Sequence, residues 1–248
     1  MHNLKTIGLT AALLCGFALF AQAESITNGG FEAGLSGWTT ADFVGSDGTF
    51  FAQSGATSPL NAFPVPAPPQ GTNAAMTDQG AGGAHILYQD FVVPANALTG
   101  AVSYCLFINS GDSFFTPTPP TLDWESTNRT GGLNLNQQAR VDILTTSADP
   151  FSVAPGDVLQ NLFQTNPGDP QVSGYTSMNT DLTTLLLAHK GETLRLRFTE
   201  VDNVSFFNFG VDKVSLAIVP EPSAMALSLS LIFAGSAGFG YARLRRRA

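Results

Sequence analysis

Two carboxylates near opposite ends of the chain, Glu32 and Asp212, are the residues best suited to bind something. Asp212 shares strand parity with Val214, Leu216 and Ile218, so an alternating strand turns its carboxylate toward the core. A charge in that position is costly unless it is paired or bound to a metal. Glu32 follows Phe31 in a glycine-rich turn. If the first and last strands lie side by side, the two carboxylates and nearby backbone carbonyls form an oxygen-rich site of the kind calcium accepts. The alternative is that Asp212 caps a turn and Glu32 is solvated. Trp124, set between Asp123 and Glu125, is the side chain best suited to stack on a sugar ring, or equally to anchor its loop on the core.

Catalytic chemistry has little to work with. His85 reads as preceding a strand, and His189 sits in a polar turn before Lys190 and Gly191. Each fits a solvated or hydrogen-bonded imidazole better than a general base. The sequence contains no H-E-x-x-H, G-x-S-x-G or phosphate-loop pattern. Cys105 lies among apolar neighbours, where a thiol stays protonated and inert. A pair of acids for glycoside hydrolysis is compatible with the composition, but no spacing singles one out. The expectation is a protein that is not an enzyme.

The elements that must position these residues read as strands. Val102, Tyr104, Leu106 and Ile108 alternate with Ser103, Cys105 and Phe107. The same alternation runs through Val141 and Ile143, through Leu194, Leu196 and Phe198, and through Val214, Leu216 and Ile218. Tyr88 to Val93 adds an apolar strand closed by Pro94. Gly, Pro, Asn, Asp and Ser clusters separate these runs. A short helix or turn is expected at Asp181 to His189. Two stretches, 58–71 and 110–137, resist pairing and read as long surface loops, where binding residues gather on a rigid scaffold. The predicted fold is all-β, an antiparallel sandwich over residues 24–218.

The formal net charge is −8. Of the 11 Lys and Arg residues, Arg243, Arg245, Arg246 and Arg247 fall in a terminal cluster and Lys5 lies near the start. The central domain is therefore strongly acidic and should repel nucleic acid and anionic surfaces. Lys5, the apolar run Ile7 to Phe20 and Ala21-Gln22-Ala23 read as a signal peptide over 1–23. Its removal leaves Cys105 as the lone cysteine, so no intramolecular disulfide forms. An apolar run from Ala224 to Ala242 matches the roughly 20 residues a membrane-spanning helix needs. The basic end behind it belongs on the cytoplasmic side.

Val219, Pro220, Glu221, Pro222 and Ser223, followed by that apolar run and the four arginines, resemble the PEP-CTERM sorting signal. The resemblance covers the tail over 219–248. It implies transient anchoring in the inner membrane, recognition by an exosortase, and a cell-surface or extracellular destination associated with exopolysaccharide or biofilm.

Asn28-Gly-Gly-Phe31-Glu32-Ala-Gly34-Leu-Ser-Gly37-Trp38 resembles the opening of galactose-binding-like jelly rolls, which include carbohydrate-binding modules. Lys190 to Phe198 and Phe209 to Leu216 are similar to that family's closing strands. The resemblance implies a jelly roll with a structural calcium at Glu32 and Asp212, and an extracellular polysaccharide as partner. A structural surface protein that binds no sugar is the alternative, and a polysaccharide hydrolase the third reading.

Overall fold

The computed structural model describes residues 23–116, 121–127 and 130–221. The chain runs through β1 (Ala23–Glu24), β2 (Thr39–Asp42), β3 (Thr49–Ser54), β4 (Asn73–Asp78), β5 (Gly83–Val92), β6 (Ala97–Ser110) and β7 (Gln137–Thr145). It continues through β8 (Val158–Gln164), β9 (Val172–Asp181), α1 (Thr183–Ala188), β10 (Thr193–Asp202) and β11 (Phe207–Pro220).

The strands form two antiparallel sheets. One has the order β3-β4-β11-β6-β9, with β1 paired to β11, and the other has the order β2-β5-β10-β7-β8. From β4 to β7 and from β8 to β11, successive strands change sheet. The result is an antiparallel two-sheet β-sandwich, as the alternation predicts, with the strand alternation between sheets of a jelly roll. The helix falls within the expected segment. The connection between β6 and β7 coincides with the longer of the two expected loops.

Between the sheets, Leu194, Leu196 and Phe198 of β10 meet Val102, Tyr104 and Leu106 of β6 in one buried cluster. Trp38 packs into it against Phe31 and Phe198, at ring separations of 5.3 and 5.9 Å. The turn carrying these aromatics is held by Asn28. Its φ of 52° is a left-handed conformation that asparagine tolerates. Its side-chain amide donates to the Gly34 and Ser36 carbonyls, each at 2.9 Å.

The outer face of the second sheet has its own cover. Ala84, Ile86, Leu122 and Val201 form a second cluster, under Phe43, Trp124, Phe151 and Val153. Beside it, Arg140 grips Asp142 with two bonds of 2.7 Å, and Arg197 reaches the same carboxylate at 2.6 Å. Asn161 adds a bond of 2.8 Å. Burial alone would raise the Asp142 carboxyl, but the Arg140 hydrogen bonds and both guanidinium charges outweigh it and hold it below the usual range.

Strand β11 departs from simple alternation. Its register slips between Asp212 and Ser215, and Lys213 at the slip has φ 55°. Before the bulge, Phe207, Phe209 and Val211 face the core; after it, Val214, Leu216 and Ile218 do. The extra residue reverses which parity points inward. Asp212 therefore lies on the opposite face from Val214, not on the core side that unbroken alternation predicts.

Candidate metal centre and binding cleft

The inward alternation of β10 does not stop at Phe198. It continues into Glu200 and Asp202 at the strand's end. Across β5, Glu200 stands opposite His85, and Asp202 opposite Gly83. Paired residues share a face, so three ionisable side chains meet at one end of the core. His85, Glu200 and Asp202 are all buried, and their ligand atoms lie within 4.8 Å of one another. The group could hold a metal ion.

His85 Nδ1 is 2.8 Å from Asp42 Oδ1. An ionised carboxylate only accepts, so in a neutral His85 this bond takes the ring proton on Nδ1 and leaves the lone pair on Nε2. That Nε2 has no hydrogen-bond partner, and neither has either oxygen of Glu200. Asp202 Oδ1 accepts the Gly83 N–H at 2.9 Å. Burial pushes the Glu200 carboxyl well above its usual range, and the neighbouring Asp202 charge adds to the shift. Burial pushes Asp202 up to about 7, against hydrogen bonds from Gln79 and Gly83 that pull it down. Gly83 keeps space beside the imidazole, because a Cβ there would stand 2.6 Å from His85 Nε2.

Asp202, though only 2 % exposed, also borders a surface cleft. A cleft of about 240 Å³ lies between the β4–β5 and β10–β11 connections, lined by Gln79 to Gly82 and by Asp202 to Phe206. Its Phe206 ring stacks on Phe63 from the loop over 58–71, at 5.4 Å, and the two rings are 41 % and 42 % exposed. The second long loop reaches the same end. Asn203 donates to the Trp124 carbonyl at 2.6 Å, and a Cβ on Gly82 would lie 3.2 Å from the Trp124 ring. Trp124 is half-buried against the outer cluster, behind the cleft lining.

Glu32 and Asp212 are brought together by the segment 70–73. The Glu32 carboxylate accepts the Thr72 and Asn73 N–H groups at 3.0 Å and the Thr72 hydroxyl at 3.0 Å. Asp212 accepts the Gln70 N–H at 2.9 Å and the Lys213 N–H at 2.6 Å. The Asn73 and Thr72 N–H groups hold the Glu32 carboxyl below its usual value. Burial raises Asp212 to about 6, the Lys213 and Gln70 N–H groups oppose this, and the negative charge of Glu32 adds to it. Gly71 adopts φ +62°, a conformation that strains other residues, and a Cβ there would displace the Glu32 carboxylate, standing 2.3 Å from Oε1. Gly29 presses on the bulge so closely that a Cβ would sit 1.8 Å from the Val214 carbonyl, and the Gly29 carbonyl accepts the Val214 N–H at 2.9 Å. The two ends of the domain do meet. Backbone N–H groups and the Thr72 hydroxyl, all neutral, are the donors to these two carboxylates.

The remaining sequence candidates have plain placements. His189 bonds Glu192 at 2.9 Å on the surface, and Cys105 is buried with Ser177 at 3.4 Å. His85 does not precede a strand; it lies inside β5, which begins at Gly83. Val219 and Pro220 belong to β11, opposite Thr99 and Ala97. Pro222, Ser223, Arg243, Arg245, Arg246, Arg247 and the apolar run lie outside the described residues, as does the expected signal peptide up to Gln22. Among the described residues, no helix is long and apolar enough to cross a membrane. Sequence reading missed Glu200 and Asp202, although the alternation that marks Leu194, Leu196 and Phe198 extends two positions further onto both. No comparable signal pointed to His85, because its position depends on the β5–β10 register.

No protein-family model matches the chain, and no curated protein does. Among solved structures, the chain is similar to the enzymatically active domain of bacteriophage CBA120 tailspike protein 4, with 9 % identity and a TM-score of 0.44. That match covers 79 % of this chain and 21 % of the tailspike's length. It is similar to a cleaved adhesin domain of Lys-gingipain from Porphyromonas gingivalis, with 10 % identity, a TM-score of 0.43, and 78 % and 96 % of the two chains covered. It is also similar to TmCBM61 in complex with β-1,4-galactotriose, with 12 % identity, a TM-score of 0.42, and 78 % and 97 % covered.

Proposed function

We propose that this protein is an exported, non-catalytic carbohydrate-binding module of the cell surface or extracellular matrix, which holds a saccharide in the cleft at Asp202 to Phe206. The observation that carries this reading is the Phe63–Phe206 ring pair, two-fifths exposed on the rim of a cleft that also offers Asp202, Asn203 and Ser205. Aromatic faces beside carboxylate, amide and hydroxyl groups match the apolar ring faces and the hydroxyl edges of a sugar. Trp124 supports the cleft from behind. The cleft volume suits one or two sugar rings rather than a buried drug-sized ligand.

Hydrolysis is the weaker reading. Of the two carboxylates of the inner cluster, Asp202 lines the cleft and Glu200 does not. A glycosidase needs both acids against the scissile bond. In the same reading, Glu32 and Asp212 hold a structural calcium that ties the ends of the galactose-binding-like domain together. The PEP-CTERM-like tail brings the chain to an exosortase by way of the inner membrane, and the matrix partner is an exopolysaccharide. These three assignments rest on sequence resemblance and on the donor set at Glu32 and Asp212.

The test is binding of the full-length chain to a panel of soluble polysaccharides by affinity electrophoresis, beside Phe206→Ala and Trp124→Ala. Phe206→Ala should weaken retention by about tenfold or more with little change in melting temperature, since the residue is 41 % exposed and belongs to none of the buried clusters. Retention unchanged in both variants would favour a surface protein that makes protein contacts and binds no sugar. Released reducing ends would bring the hydrolase reading back.

A further inference from the structure

We propose that His85, Glu200 and Asp202 form a binding site for a divalent first-row transition ion, with Asp42 orienting the imidazole. The site is separate from the oxygen-rich Glu32–Asp212 pair and does not depend on the sugar reading.

The argument starts from what is missing around buried atoms. A fully buried carboxylate whose two oxygens both lack a partner is rare in a folded protein and requires an explanation. Glu200 is such a group, and the His85 lone pair beside it is another. Among the described residues, no Lys or Arg forms an ion pair with Glu200 or Asp202; the buried guanidinium groups of Arg140 and Arg197 are committed to Asp142 on the opposite face of the sheet. With both acids ionised and the imidazole neutral, the cluster carries a charge of about −2, which one divalent cation neutralises. The three ligand atoms already converge to within 4.8 Å. The space next to His85 Nε2 is kept open by the absence of a side chain at Gly83.

The donor set identifies the class of ion. Calcium and magnesium take oxygen ligands and seldom an imidazole, whereas one nitrogen with two carboxylates suits zinc, manganese, iron or cobalt. The Asp42–His85 bond is the arrangement in which a carboxylate fixes the tautomer of a metal-bound histidine. Three protein ligands leave at least one position on such an ion for water or another oxygen donor. Asp202 is the ligand that also borders the cleft. The competing explanation is a protonated Glu200 sharing its proton with Asp202, a site with no metal at all.

Zinc chloride is the probe. The full-length chain, stripped with chelator, is titrated by calorimetry and melted in parallel, with excess calcium chloride present throughout. The expected result is one zinc per chain that calcium does not displace, with a melting temperature that rises with zinc concentration. Glu200→Gln and His85→Gln should each weaken binding at least about 100-fold, and Asp42→Asn about 10- to 100-fold. Glu32→Gln should leave it unchanged. X-ray absorption at the zinc edge should report one imidazole nitrogen at about 2.0–2.1 Å with oxygen neighbours. Glu200→Gln keeps the shape of the side chain and removes only charge, so its metal-free melt verifies its fold. Absence of zinc binding, full binding in Glu200→Gln, or an absorption spectrum without an imidazole nitrogen would each overturn the site. If every variant fails to fold, the wild-type spectrum alone decides.

Discussion

Strand β10 buries charge on both of its faces, and the two faces handle it differently. On the outer face, Arg197 and Arg140 converge on Asp142, with Asn161 and the carbonyls of Pro150 and Ser152 taking further bonds. On the inner face, a few residues along the same strand, Glu200 and Asp202 meet His85 with no cationic side chain bonded to either acid among the described residues. Both groups are buried, so depth does not distinguish them. The outer cluster finds its counter-ions within the chain. The inner one has to be discharged by protons or by an imported cation.

The comparison breaks most sharply on Asp142→Ala. Removing the shared anion leaves two buried guanidinium groups uncompensated, which should cost roughly 3–5 kcal/mol in urea denaturation. Glu200→Gln in the metal-free chain replaces a buried carboxyl that has no cationic partner and should be neutral or stabilising. If the two variants lost stability equally, the two faces would not differ in kind.

Asp212 supplies an intermediate case, a buried acid with backbone donors and a second acid nearby. Saturating calcium should raise the melting temperature of the chain, by about 2.7 kcal/mol of stability at a hundredfold excess over the dissociation constant. Asp212→Ala should lose that rise. Calcium-independent melting would remove the metal from this pair and leave only its N–H donors.

A smaller effect separates the two clusters by pH. Asp142 titrates below its unfolded value, so its contribution is present above the unfolded carboxylate range and is lost as pH falls through its folded value. Asp202, raised to about 7, and Asp212, raised to about 6, act with the opposite sign. Their protonated forms are favoured by folding, so their contribution is complete below about pH 4, near the unfolded value, and is lost as pH rises toward those folded values. The metal-free chain should therefore melt on the order of 10 °C lower at pH 7.5 than at pH 5, taking about 2–4 °C per kcal/mol for a domain of this size. Asp202→Asn should flatten that limb. A melting temperature that climbs steadily from pH 5 to 7.5 would mean the inner acids are already compensated.

Much of the scaffold was legible in the residues because sandwich strands alternate. The runs ending at Ile108, Ile143 and Phe198 lie where period-two patterning puts them, and the strands β6 and β7 end and begin at the bounds of the expected loop. Two things were hidden. The bulge at Lys213 reversed the parity of β11, and one inserted residue leaves no mark on composition. Asp212 is buried all the same, because the loop before β4 folds over it. The second was the inner cluster. Glu200 and Asp202 sit at core-facing parity, yet polar residues at a strand end look like the beginning of a loop. Only the pairing of β5 with β10 reveals that His85 stands opposite them.

The course of β11 has a consequence for presentation. The strand starts beside the cleft at Phe207 and ends at Pro220, and Ile218 near that end pairs with Ala23 of β1. Both ends of the domain thus emerge at one pole, while the cleft opens at the other, roughly 40 Å away at about 3.3 Å per strand residue. A chain held by either end, on any support, would point its cleft outward, with the whole sandwich serving as the spacer.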